Sequence, residues 1–288
     1  MKVLWRLCVL YLILMTCFTS HAAPSANVPI KPRIIIILDD LGYRQSDLAA
    51  FRLPSEVTFS ILPQTPLAQT ISRKAEQQGR AVMLHMPMQS TSGKAMGPLG
   101  LSTDMYPAAI THTLRAALKS VPNAVGVNNH MGSAFTVEEQ AMQTIMEEIK
   151  RQGLFFVDSR TSVYTTAQKV AERLGVPNTS RQVFLDNDRS TRSLYKQFEY
   201  TKKLAKRNGT VVVIAHPYPE TLTFLTQILP TLANEGITLT SVDEYFSESS
   251  SESFSELSSE LDKDIDVLSS KDVDKNALSE AIAAAPNE

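Results

Sequence analysis

Short runs of apolar, mostly β-branched residues alternate with amphipathic segments along most of this chain. Runs of this length and composition are typical of strands buried on both faces. Repeated β–α units predict a parallel sheet with right-handed crossovers, and seven or eight such units can close into a barrel. The predicted strands are IIIIL (34–38), VTFSIL (57–62), AVMLH (81–85), AVGVN (124–128), LFFVD (154–158), VFLD (183–186), VVVIAH (211–216) and ITLTSV (237–242).

The segments between these runs have helix signals at their ends. Gly79, Gly153 and Gly209 stand just past three amphipathic stretches, where glycine is the favoured C-cap. Thr136 and Glu139 have the spacing of a capping box at the start of the second stretch. Residues 89–107 are rich in Gly, Ser and Pro, which predicts a long loop over one face of the domain.

The two ends of the chain differ in composition from the middle. Residues 1–22 combine Lys2 and Arg6 with an apolar run and a small-residue cleavage site, which predicts a signal peptide and an exported protein. A retained membrane anchor is the alternative, although the run is short for a span. Residues 247–288 are Ser-rich with a net charge of −8, which is typical of a disordered, solvated tail or of a segment that docks on a partner.

The middle of the chain, residues 23–246, is weakly basic and suits one α/β domain. Its net charge of +4 shows no Lys/Arg stripe of the kind that binds nucleic acid. Both cysteines, Cys8 and Cys17, lie in the predicted signal peptide. The mature protein would therefore have no disulfide and no thiol chemistry, and no stable membrane span after cleavage.

Side chains that bind metals or transfer protons follow most of the predicted strands. Three of the four histidines in the middle of the chain stand at strand ends, and the fourth, His112, falls on the surface of a predicted helix. Because the carboxyl ends of parallel strands meet at one edge of a sheet, we expect these side chains to share a site. The strand-end residues are Asp39, Asp40, His85, Asn128, Asn129, His130, Asp158, Ser159, Arg160, Asp186, Asp188 and His216.

One carboxylate with two or three imidazoles is a favourable ligand set for Zn²⁺ with an open position for water. A metal there would also compensate the charge of a carboxylate near the interior. Such a site suits hydrolysis, in which a second carboxylate takes a water proton and a histidine protonates the leaving group. Adjacent strand residues point to opposite faces, so Asp39 and Asp40 should have different roles unless the backbone turns there.

Other enzyme classes have no signature in the sequence. There is no G-x-S-x-G elbow, no P-loop and no G-x-G-x-x-G fingerprint. A metal phosphoesterase would need a second metal, for which Asp186 and Asp188 are available carboxylates.

Seven motifs in this order resemble the divergent polysaccharide deacetylase family: ILDDLGY, TFSILP, LHMPM, GVNNHMGS, FVDSRTS, VFLD and IAHPYPETL. The resemblance covers residues 33–246 and implies a deformed (β/α) barrel with seven or eight mostly parallel strands. The family is related to the larger group of metal-dependent polysaccharide deacetylases. That relation implies Asp39 as general base, Asp40 and His85 as metal ligands, and His216 as general acid.

The sequence departs from the larger group at two points. Gln89 stands where that group has a second metal-binding histidine, so we expect His130 on the next strand to supply the second imidazole. The Arg-x-Pro-Tyr motif of the group has no counterpart, and Arg160 and Arg181 are candidates for its role.

The leading hypothesis is a periplasmic, zinc-dependent hydrolase that removes N-linked, or else O-linked, acetyl groups from an envelope polysaccharide such as a peptidoglycan-type glycan. Asn129 and Asp158 would orient the catalytic groups or contact sugar, and Arg160 and Tyr43 would border the substrate. The alternative hypothesis is a protein of the same fold that holds a glycan or an envelope protein partner without turnover. In that case the acidic tail would be a docking segment.

Overall fold

The computed structural model describes residues 31–249 and residue 251. The predicted signal peptide, the alternative membrane anchor and most of the predicted acidic tail lie outside the described residues. In the described part, no helix combines the length and the apolar character needed to cross a membrane.

All eight predicted strands are present, and a short polar strand that the apolar pattern did not predict lies between the fifth and sixth of them. The strands in the described residues are β1 (Arg33–Leu41), β2 (Thr58–Ile61), β3 (Val82–Met88), β4 (Ala124–Met131), β5 (Phe155–Asp158), β6 (Asn178–Ser180), β7 (Val183–Phe184), β8 (Thr210–Ala215) and β9 (Thr238–Leu239).

Helices fill most of the connections between strands. They are α1 (Ala68–Gln77), α2 (Pro107–Ser120), α3 (Glu139–Arg151), α4 (Ala167–Leu174), α5 (Thr191–Asn208) and α6 (Pro219–Ile228), with 3₁₀ helices at Gln45–Arg52 and Leu229–Glu235. His112 is an exposed residue of α2, as predicted.

Every strand pair in the described sheet is parallel, which confirms the β–α prediction. The strand order is β6-β5-β4-β3-β2-β1-β8-β7, and β9 pairs with the start of β1. Among the described strands, β6 and β7 end this order without pairing with each other. The sheet curls into a deformed (β/α) barrel that stays open between these two strands.

Two separate apolar cores follow from the alternation of side chains along the strands. Ile34, Ile36 and Leu38 of β1 point outward and pack in the large core between the sheet and the helices. Ile35 and Ile37 point the other way, into a smaller core inside the curl. Val242 and Phe246 complete this inner core, and the Phe246 ring stacks on Phe155 with 4.5 Å between centroids.

The helix ends follow the sequence signals in part. Gly79, Gly153 and Gly209 all have positive φ at or just after a helix end, as predicted. The predicted capping box is wrong, because the Thr136 hydroxyl donates to the carbonyl of Gly132 and α3 begins only at Glu139.

The C-terminal helical segment crosses the boundary that the sequence predicted at residue 247. Residues 242–249 are helical, and Glu248 pairs with Arg33 at the start of β1. Three residues of the predicted tail, 247–249, are thus helical, whereas residues 252–288 lie outside the described part.

Candidate functional site

The backbone turns sharply at the end of β1, and this turn brings both aspartates to one site. Asp40 has a φ of +62°, and the β1–β2 register shifts between Leu38 and Leu41. Such an irregularity re-aims side chains that would otherwise alternate. His85 Nε2 is 3.7 Å from Asp39 Oδ2 and 3.1 Å from Asp40 Oδ1. Adjacent strand residues would point to opposite faces, but the backbone turns here, so the two carboxylates face the same site.

Asp40, His85 and His130 converge on one point. Asp40 Oδ1 lies 3.1 Å from His85 Nε2 and 2.9 Å from His130 Nδ1, and the two histidine nitrogens are 3.2 Å apart. Ligand atoms on a tetrahedral zinc ion lie about 3.4 Å apart, given bonds of about 2.1 Å. Asp40 Oδ1 is also buried without a hydrogen bond. These residues therefore fit a divalent cation, and in the described part of the chain they are the one such group of His, Cys, Asp and Glu.

Strand pairing explains how His130 reaches this position. In the β3–β4 register, His85 lies opposite Asn128 and Pro87 lies opposite His130. Gln89 does not join the cluster, because its side-chain oxygen accepts hydrogen bonds from the Thr103 N–H at 2.8 Å and the Thr103 hydroxyl at 3.0 Å. The structure thus brings His130, and not Gln89, to Asp40 and His85.

Asn128 holds the neighbouring groups in fixed orientations. Its side-chain oxygen accepts from Ser60 Oγ at 2.6 Å and lies 2.8 Å from His85 Nδ1. Its amide nitrogen donates to Asp39 Oδ1 at 2.8 Å. When His85 carries its proton on Nδ1, that nitrogen donates to the Asn128 oxygen and Nε2 is left free to bind a metal.

The protonation of the site follows from burial and charge. Burial is the largest effect on Asp39 and raises its pKa, although nearby histidines oppose it. Burial would also raise the pKa of Asp40, but its contacts with His130 and His85 outweigh this and hold the pKa well below its usual range. Burial by itself would lower the pKa of His85, but the charge of Asp39 and the contact with the charged Asp40 outweigh this and raise the pKa to about 9.

His216 faces the cluster from the end of β8. Its Nε2 is 3.8 Å from Asp40 Oδ2, while its Nδ1 lies 3.0 Å from Asp186 Oδ1. Asp186 also accepts the His216 backbone N–H at 2.7 Å and the Thr221 hydroxyl at 2.9 Å. Burial is the largest effect and opposes the charged imidazole, but the bond to Asp186 and the charges of Asp186, Asp39 and Asp40 together outweigh it and raise the pKa of His216.

Asp186 and Asp188, the carboxylates available for a second metal in a phosphoesterase, form hydrogen bonds to other groups. Asp186 is committed to His216, and Asp188 is an exposed residue that accepts the Ser190 N–H at 2.9 Å. Neither lies in the cluster of Asp40, His85 and His130.

The predicted orienting residues lie around the site rather than in it. Asn129 is buried and binds neighbouring loop groups: it accepts from the Ser159 N–H and donates to the Met131 carbonyl and, at 3.5 Å, to the Thr161 hydroxyl. Asp158 is buried and accepts the Arg160 N–H at 2.7 Å. Arg160 is exposed with a φ of +48°, at the edge of the same loop.

Arg181 contacts the same loop. Its side chain donates to the carbonyls of Ser159 and Arg160, at 2.7 and 2.9 Å. Burial, followed by the charge of Arg160, lowers the pKa of Arg181, and the charges of Asp158 and Asp39 oppose this.

A cleft of about 490 Å³ opens onto the metal-ligand cluster. Tyr43 lines this cleft and is half exposed, so a ligand in the cleft can contact its ring. The lining residues are Asp40, Tyr43, Arg44, Asp47, Leu62, His130, His216, Pro217 and Tyr218. Ligands can therefore reach Asp40, His130 and His216 from solvent.

Comparison with known proteins decides the family. Residues 36–246 match the family described as divergent polysaccharide deacetylase. The chain belongs to this family. A Haemophilus influenzae protein described as uncharacterized is 35% identical over 196 residues, which cover 68% of this chain and 70% of the relative. The Escherichia coli K12 protein YibQ, also described as uncharacterized, is 35% identical over 232 residues, which cover 80% and 72%.

A solved structure supports the fold of this family member. The crystal structure of an uncharacterized protein from Agrobacterium tumefaciens C58 matches with a TM-score of 0.71 and 24% identity, covering 74% of this chain and 88% of that one.

For three polar residues at or near the site, the sequence does not indicate the contacts that the structure shows. Asn128 and Asp186 stand at strand ends, which marks them as neighbours of the site, but spacing alone does not show which side chains they bind. Arg44 is exposed in a loop after β1, and the sequence holds no signal that it lines the cleft.

Proposed function

We propose that this family member is a metal-dependent hydrolase that removes acetyl groups, N-linked in the first instance, from an envelope polysaccharide. The observation that carries the proposal is the convergence of Asp40, His85 and His130, with Asp39 and His216 beside them. The membership of the chain in the divergent polysaccharide deacetylase family supports the choice of reaction.

Asp40, His85 and His130 would hold the metal, and zinc suits one carboxylate and two imidazoles best. A divalent ion bound there polarises the acetyl carbonyl and lowers the pKa of a water molecule. Asn128 supports this function, because its contact with His85 Nδ1 keeps Nε2 directed at Asp40.

Asp39 would act as the general base. Its Oδ1 is held by the Asn128 amide, while its Oδ2 faces the cluster at 3.7 Å from His85 Nε2. Burial raises the pKa of this carboxyl, which makes the carboxylate a better proton acceptor. The proton of the attacking water would pass to Oδ2.

His216 would act as the general acid. Its Nδ1 is tied to Asp186, so the proton available for transfer is on Nε2, which faces Asp40 across the site. The bond to Asp186 and the charges of Asp186, Asp39 and Asp40 raise the pKa of His216 against the effect of burial and so favour the protonated ring. The departing amine would receive the Nε2 proton as the C–N bond breaks.

The cellular setting belongs to the same proposal. The N-terminal sequence supports export, and the periplasm is the compartment in which an envelope glycan would be met. The acidic Ser-rich tail would remain free for an envelope protein partner.

The test combines metal content with turnover. The purified protein is supplied with zinc, nickel or cobalt, its bound metal is measured by elemental analysis, and acetate release from acetylated glycans is followed. We expect about one zinc per chain, and we expect Asp40→Asn and His130→Ala to lower metal affinity at least about tenfold. His112→Ala, at an exposed histidine of α2, is the matched control and should change neither readout.

Two results would count against the proposal in different ways. A wild-type protein that takes up no metal would exclude the hydrolase. A protein that binds metal and glycan but releases no acetate from any acetylated glycan would be the binding protein that the sequence left as the alternative.

A further inference from the structure

Two arginines at the cleft have no role in the proposed chemistry. Arg44 follows β1 and lines the cleft with Tyr43, His216 and Tyr218. Arg189 follows β7, and its Cζ lies 4.7 Å from the centroid of the Tyr218 ring. Both side chains are exposed, so both guanidinium groups can meet a ligand from solvent.

Nearby carboxylates do not neutralise these arginines. In the described part of the chain, no carboxylate forms an ion pair with either guanidinium. Asp47 is buried and accepts the backbone N–H groups of Gly42 and Arg44, at 2.9 and 3.0 Å. Asp188 accepts the Ser190 N–H, so both of these acids are engaged by their own loops.

The charges of Arg44 and Arg189 both act on Tyr218, which lines the cleft. Burial is the largest effect on the Tyr218 hydroxyl and raises its pKa, with the charges of Asp186 and Asp40. The charges of Arg189 and Arg44 both act in the opposite direction. Arg44 therefore lines the same cleft as Tyr218, and Arg189 lies over the Tyr218 ring.

We propose that the cleft binds a glycan that carries an acidic group, with Arg44 and Arg189 contacting its anionic oxygens beside Tyr218. Guanidinium groups form strong, charge-assisted hydrogen bonds with carboxylates and with phosphates. The rings of Tyr43 and Tyr218 border the same space and offer apolar faces to the sugar. This inference rests on the proposed function, since it names the class of glycan that the site accepts.

The test uses matched oligosaccharides that differ only in charge. The full chain, supplied with zinc, is titrated by calorimetry with an N-acetylated oligosaccharide that bears carboxylates, with its carboxyl-reduced neutral form, and with a phosphorylated form. We expect the acidic oligosaccharides to bind about tenfold more tightly than the neutral one, as two charge-assisted contacts would give. Salt should weaken this preference.

Single substitutions connect the preference to the two side chains. Arg44→Gln and Arg189→Gln should each remove most of the preference for the acidic forms and leave the affinity for the neutral form within about twofold. Arg207→Gln is the matched control, because Arg207 is an exposed arginine in the last turn of α5, and it should leave the preference intact. Whichever acidic form binds more tightly identifies the group as carboxylate or phosphate.

The outcomes separate this inference from the proposed function. Equal affinity for the acidic and neutral forms, or a preference that survives both substitutions, would overturn the inference even if neutral acetylated glycans are deacetylated at full rate. An arginine-dependent preference supports the inference even if no glycan releases acetate, in which case the hydrolase proposal alone would fail.

Discussion

Asp186 determines how His216 can function, because it is the acceptor for Nδ1 and also binds the His216 backbone N–H. The contact opposes the effect of burial, which by itself would lower the pKa of the imidazole. A general acid must be protonated, so activity that depends on His216 is lost as pH rises through its pKa. In the proposed reaction, one buried carboxylate would therefore set the alkaline limit of activity.

Asp186→Asn should move that limit to lower pH. Without the carboxylate, the charges of Asp39 and Asp40 alone oppose the effect of burial, so the pKa of His216 should fall. NMR titration of His216 and the pH profile of acetate release should shift together. Asp188→Asn, two residues away and exposed, should shift neither. An unchanged His216 titration in Asp186→Asn would contradict this account.

Asn128 should contribute both to the stability of the fold and to the affinity of the site for metal. Its side chain satisfies Ser60, His85 and Asp39 in a buried position. Asn128→Leu keeps the branched shape but leaves these groups without partners, so the free energy of unfolding should fall by about 2–4 kcal/mol. Zinc affinity should fall about 10- to 100-fold.

Urea denaturation and metal titration measure the two effects of Asn128→Leu. Asn208→Leu, at an exposed asparagine that ends α5, should cost less than about 0.5 kcal/mol and leave zinc binding unchanged. Equal stability of the two variants would mean that the Asn128 contacts contribute nothing net.

At the level of elements, β1 and the turn that follows it decide the geometry of the site. The chain leaves the sheet through Asp40 and through Gly42, which has a φ of +128°. A Cβ atom on Gly42 would lie 2.1 Å from Thr65 Oγ1, and that hydroxyl is itself bound to the Leu62 carbonyl. This turn directs Tyr43 and Arg44 into the cleft.

Gly42→Ala should therefore destabilise the protein by at least about 2–3 kcal/mol, from backbone strain together with the steric clash. Gly79→Ala is the matched comparison, because Gly79 also has positive φ (+65°) but open space around it. It should cost only about 1–2 kcal/mol. Chemical denaturation gives both values, and similar costs would show that the contact with Thr65 is easily relieved.

The elements also show how far the sequence could be read. Strands buried on both faces have a continuous apolar signal, so eight were predicted, whereas β6 (Asn178–Ser180) is short and polar and has none. The histidines at strand ends were predicted because parallel strands share an edge. Three features depend on tertiary geometry, which residue spacing does not contain. They are the positive φ of Asp40, the contacts of Asn128 and the hydrogen bond from the Thr136 hydroxyl to the Gly132 carbonyl.

For the whole molecule, a buried cluster of acids and histidines relates folding stability to pH and to metal. In the metal-free protein the pKa of His85 is raised to about 9 from an ordinary value of 6.5. Between these values the folded protein binds more protons than the unfolded chain, so stability falls as pH rises. Metal binding needs the unprotonated ring, so metal affinity rises over the same range.

We therefore expect the free energy of unfolding of the metal-free protein to decline between pH 6.5 and about 9, by up to about 3 kcal/mol. Added zinc should restore stability by an amount that grows with pH in the same interval, since it binds the folded state. Denaturation at several pH values with zinc or with a chelator measures both trends. His112→Ala, at the exposed histidine, should keep both trends. His85→Gln should abolish the zinc effect and leave only the part of the decline that the raised pKa of His216 contributes. A metal-free stability that does not change across this interval would show that His85 is not protonated in the folded protein.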